Sequence, residues 1–144
     1  MTTREWARQF RQKQDAEWES SGANSRAIQS QRDSVWQELV QELVSGLEGY
    51  GDPRFGHYKT APGNHVWWVK LLVDTPNKDM EKREVKLVND LAANEIHITY
   101  SGMETENFSI RIGILETGDV GLRLADHDVT IPDIAQKILK PFLS

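Results

Sequence analysis

No cysteine occurs among the 144 residues. That excludes a disulfide framework, a thiolate nucleophile and every zinc site that needs a thiolate, so stability has to come from packing. Long apolar runs are missing as well. The longest, Val66 to Val73, is interrupted by Lys70 and is far too short to cross a bilayer as a helix. Met1 to Lys13 is charged and glutamine-rich where an export signal needs an uninterrupted apolar stretch. A cytoplasmic chain without membrane contact is therefore expected, and the sequon Asn107-Phe108-Ser109 then carries no glycosylation consequence.

Catalytic signatures are also lacking. There is no G-x-S-x-G elbow and no G-x-x-x-x-G-K-[ST] loop, and Gly49-Tyr50-Gly51 has neither the further glycine nor the following helix of a dinucleotide loop. Asp126-His127-Asp128 looks like a ligand cluster, but sequence neighbours in an extended segment rarely converge on one ion, and no second histidine stands at helical spacing. It reads as an exposed polar loop before a helix cap. His57 and His65 flank a hairpin, but two ligands do not make a site. No cofactor, metal or catalytic residue is assigned, and an enzyme is not the expected class.

What the chain does contain is one domain's length of sequence with an uneven charge. The net charge is −5, and Glu104 to Asp133 holds seven acids against Arg111 and Arg123. Such a half disfavours a phosphate backbone as partner, so nucleic acid is not expected. The first turns differ, with Arg4, Arg8, Arg11 and Lys13 against Glu5.

Periodicity divides the chain into a helical first third, a strand-rich middle and a closing helix. Over Arg26 to Glu48, Ile28, Val35, Trp36, Leu39, Val40, Leu43, Val44 and Leu47 recur at steps of three and four, with Asn24 or Ser25 as cap and Gly49 or Gly51 as stop. Thr3 to Glu19 is a second helical stretch, separated by a break at Ser20-Ser21-Gly22; one long bent helix is the alternative. Residues 1–22 then form an N-terminal helical arm, mobile or exchanged, and 23–144 a single α+β domain. Strands are expected over Gly56 to Thr60, His65 to Asp74, Glu95 to Tyr100, Asn107 to Leu115 and Asp119 to Leu124, with turns at Ala61-Pro62-Gly63-Asn64, Gly102 and Gly118. Lys82 to Ala92 fits helix or strand, and strand is the reading adopted, turning near Ala93-Asn94. Thr130 caps the last helix, which Pro141 ends. The expected fold is α+β: an antiparallel sheet of five or six strands packed on a long N-terminal helix and a short C-terminal helix.

That element order, with the small size and acidic balance, resembles secretion-chaperone-like domains, which bind unfolded or partner segments without catalysis. The strand at Lys82 to Ala92 departs from that family's central helix.

Strand parity sorts the faces. Ile96, Ile98, Tyr100, Phe108, Ile110, Ile112, Ile114, Val120, Leu122 and Leu124 share the core face, whereas His97, Thr99, Ser109, Arg111, Gly113, Leu115, Gly121 and Arg123 share a mostly polar one. The strand from His65 to Asp74 breaks this division, because Val66, Trp68 and Leu72 fall on the polar side. An apolar patch there needs cover: Trp6, Phe10 or Trp18 of the chain's own arm, a second copy, or another protein or ligand. The functional expectation is a non-enzymatic protein-binding module (chaperone, adaptor or inhibitor-like), self-associating, with Trp68, Leu72, Val66, Trp6, Phe10 and Trp18 as binding residues. The alternative is a small-ligand or anion-binding domain, conceivably an enzyme, using His97, Arg111 and Arg123.

Overall fold

The structure, a computed structural model, describes residues 2–51, 55–57, 65–74 and 80–144, excluding the side chains at 20, 21, 55–57, 72–74 and 80–82. Helix α1 runs unbroken over Thr3–Tyr50. Its start is a capping box: the Thr2 hydroxyl accepts from the Glu5 N–H and the Glu5 carboxylate accepts from the Thr2 N–H. The expected cap at Asn24 or Ser25 and the break at Ser20-Ser21-Gly22 are therefore corrected, since these residues lie inside the helix. A single glycine or serine lowers helix propensity by about 1 kcal/mol or less, too little to stop a helix whose ends are both capped. Gly51 closes it in the left-handed region at φ 76°, its N–H donating to the Leu47 carbonyl.

Among the described residues seven strands follow as an antiparallel meander in chain order. They are β1 (Phe55–His57), β2 (Val66–Asp74), β3 (Met80–Asp90), β4 (Glu95–Ser101), β5 (Phe108–Ile114), β6 (Val120–Leu124) and β7 (His127–Val129). The antiparallel α+β expectation is met: β2 to β6 are the full strands, and three-residue strands finish both edges. Residues 80–90 are strand, so the secretion-chaperone-like resemblance loses the central helix it required. His127–Val129 corrects the loop read at Asp126-His127-Asp128, because Arg123 pairs with Asp128 and Leu122 with Val129 across the β6–β7 ladder. Three residues are too few for alternation to show. The turn at Ala61-Pro62-Gly63-Asn64 lies outside the described residues.

Helix α2 (Ile131–Leu143) starts at the Thr130 cap and carries Pro141 inside its last turn, so the proline does not end it. Both helices lie on one face of the sheet. α1 packs on β5, β6 and α2, while α2 reaches β3. Parity sorts β4, β5 and β6 as expected: Ile96, Ile98, Tyr100, Ile110, Ile112 and Leu122 are buried under the helices with Trp36, Leu39 and Leu43 of α1 and Ile138 and Phe142 of α2. Fully burying each large apolar side chain contributes about 1.5 to 3 kcal/mol, which makes this single face the source of stability. Arg32 fastens α1 to the β3–β4 turn, its Nη1 donating to the Leu91 carbonyl (3.2 Å) and to Asn94 Oδ1 (3.5 Å).

Candidate binding surfaces

The core stripe of α1 begins at Ile28, which packs against the cluster. Before it, every described residue from Thr2 to Glu19 is exposed. Residues 3–26 thus extend about 36 Å beyond the domain at 1.5 Å per residue. This projecting segment carries Trp6, Phe10 and Trp18 at 55%, 50% and 81% exposure. Trp6 and Phe10 stack one helical turn apart with ring centroids 5.5 Å apart. Trp18 precedes Trp36 by eighteen residues, about five turns, so the two indoles leave the helix on the same side. The stripe that meets the sheet therefore continues, thinned, onto the projecting half.

Trp68 takes the second surface. In β2, Trp67 and Val69 are completely buried, and Trp68 points to the opposite face, opposite Lys86 and in one row with Thr99. It is half-buried there beside Lys70, whose Nζ lies 4.5 Å from the ring centroid and 3.6 Å from Glu84. Val66, also half-buried, stands opposite Val88. Leu72 shares this parity, but its side chain is outside the described residues. Cover by the chain's own arm is corrected: the aromatic side chains proposed to close over Trp68 are exposed on the projecting helix.

The polar sheet face holds its basic side chains against acids. His97 Nε2 lies 3.4 Å from Asp90 Oδ2 and its Nδ1 2.8 Å from Ser109 Oγ. The hydrogen bond from His97, followed by the Ala93 N–H, holds the Asp90 carboxyl below its usual range. Arg123 Nε lies 3.0 Å from Asp128 Oδ1, an ion pair not aligned as a hydrogen bond, and Nη2 donates to the Asp126 carbonyl at 3.1 Å. Arg111 is exposed and stands opposite Glu95. The three residues share a face, as parity requires, yet His97 and Arg123 are turned to carboxylates rather than to a common empty point.

Two further contacts were not read from the sequence, although parity had placed Leu115 and Gly121 on the outer face. Leu115 lies over Gly121, where a Cβ would stand 2.6 Å from Leu115 Cδ1, so a glycine is what lets this leucine cover the outer face of β6. Asn89 is buried on the core side of β3, its Nδ2 3.4 Å from His65 Nδ1. The Gly113–Gly121 pairing was the readable signal for the first; nothing in the alternation marked the second. Among the described residues no group of three His, Asp or Glu side chains is placed to hold a metal ion, and the His57 side chain is outside them. Likewise, no described helix is long and apolar enough to cross a membrane. The concavities along α1 beside Trp18, beside Gly102 and Pro141, and between Glu42 and Pro132 are open grooves.

The chain matches no protein-family model, no curated protein and no solved structure.

Proposed function

We propose that the protein is a non-enzymatic protein-binding module whose binding element is the projecting half of α1. The observation that carries this reading is the placement of Trp6, Phe10 and Trp18 on a helix with none of its own domain beneath it. Among the described residues the other exposed large hydrophobic is Tyr50, so the exposed aromatic surface is concentrated on the arm. Burying one such ring is worth about 1.5 to 3 kcal/mol, and tryptophan is a frequent anchor of interface energy. Trp68 and Val66 form a secondary contact surface on the sheet face that the helices leave open. The polar face supports an anion reading less well, because Asp90 and Asp128 already oppose His97 and Arg123.

The test compares the intact chain with the triple variant Trp6→Ser, Phe10→Ser, Trp18→Ser. Partner capture and self-association should be lost while the thermal melt is unchanged, because none of the three side chains contributes to the core. Retained capture by the triple variant would reject the arm as the binding element.

A further inference from the structure

We infer that the partner of the arm is the arm of a second copy of this chain, packed antiparallel about a two-fold axis near residues 12 and 13. This rests on the reading of the arm as the binding element.

Charge is the first argument. Residues 3–13 carry Arg4, Arg8, Arg11 and Lys13 against Glu5, and residues 14–19 carry Asp15, Glu17 and Glu19 with no cation. Antiparallel arms lay the basic half of each on the acidic half of the other, whereas parallel arms stack like charge on like. Residues 3–19 hold four cations and four anions, so this segment is neutral in a chain of net charge −5. Two copies repel each other least when they approach through it.

Spacing is the second argument. Ala7, Arg11, Gln14 and Trp18 fall on one line at steps of four, three and four, the line that Trp36, Leu43 and Leu47 continue in the docked half. With the axis between residues 12 and 13, Trp18 of each copy meets Ala7 of the other, a large side chain against a small one. Arg11 meets Gln14, and Arg8 flanks Asp15. The pair that Arg11 and Asp15 make within one helix is 4.0 Å long and more than two-thirds exposed on both sides, so little is lost by exchanging it. The tip at Thr3 then stands level with Gly22 of the other copy, about 9 Å short of Ile28, and the two domains clear each other at opposite ends.

Stability is the third argument. Most helical stability in proteins comes from packing an apolar face, and the arm, with glycine and serines lowering its propensity, has its described residues from Thr2 to Glu19 exposed. Among the described residues the edge strands β1 and β7 have three residues each, a short template for pairing with another chain.

Sedimentation velocity of the intact chain over a concentration series should show a reversible dimer, with Trp18→Ser shifting it towards monomer at an unchanged melting temperature. Arg8→Glu alone and Asp15→Arg alone should each weaken the dimer by about tenfold, equivalent to about 1.4 kcal/mol. An equimolar mixture of those two variants should restore it, because every Arg8–Asp15 contact in the mixed dimer again joins opposite charges. A parent that is monomeric throughout, a dimer indifferent to Trp18→Ser, or a mixture no tighter than its components would overturn the inference. So would a monomer whose arm instead binds phosphatidylserine vesicles. A monomeric parent leaves the protein-binding reading standing, because that reading falls only if the triple variant still captures its partner.

Discussion

Tyr100 shows what single residues contribute to this core. Its ring is buried beside Phe108, and its hydroxyl donates to the Ile138 carbonyl at 2.7 Å, joining β4 to α2. Burial pushes its pKa up to about 12, against an ordinary value near 10. Between those values the folded chain holds a proton that the unfolded chain has released, so stability is full below about pH 10 and declines as pH rises towards about 12. Denaturant melts through this window should therefore show a falling midpoint, with a shallower fall in Tyr100→Phe. Equal slopes for the two proteins would show that the phenol is not held neutral by the fold. Asp90 works in the opposite sense: its carboxyl is held low by His97, so the contribution is present above the ordinary carboxylate range and lost as pH falls through the folded value.

At the scale of elements, alternation was readable wherever a strand had one wet and one dry face. Ile110 and Ile112 went inward and Ser109 and Arg111 outward in β5 as parity requires, because a one-residue slip would exchange the faces entirely. Leu39→Ala and Ile112→Ala should each cost about 2 to 5 kcal/mol by denaturant unfolding, and Arg111→Ala far less. Comparable losses at positions 111 and 112 would invert the assigned faces. Elements without a periodic apolar signal were not readable. β7 is too short to alternate, and the arm lacks a continuous stripe, so Ser20-Ser21-Gly22 passed for a break. The decisive mark lay at the start, where Thr2 and Glu5 have the spacing of a capping box and set the beginning of α1 more than twenty residues upstream of the stripe. The candidate site was legible as residue types only. Trp6, Phe10 and Trp18 stood out as aromatic, but a single helix carrying them away from the domain depends on continuity through a weak segment.

For the molecule as a whole, the two halves of α1 have different sources of order. From Ile28 to Leu47 the helix is held by the sheet and α2, and its opening requires exposing Trp36, Leu39 and Leu43, so its amides should exchange at the rate of global unfolding. From Thr3 to Glu19 the described residues are all exposed, and in the proposed dimer the order of this segment depends on the capping box and on the second copy. Mass action then makes its protection depend on protein concentration, since dilution removes the bound state that stabilises it. Hydrogen exchange read by mass spectrometry should show peptides from residues 3–26 losing protection on dilution across the dimer's dissociation range, while peptides from 35–47 and from β4 and β5 remain unchanged. Far-ultraviolet circular dichroism over the same dilutions should lose helical signal in proportion. If the arm is as protected as the core at every concentration, something within one chain holds it. The contrast between a fixed domain and a partner-dependent helix would then be wrong.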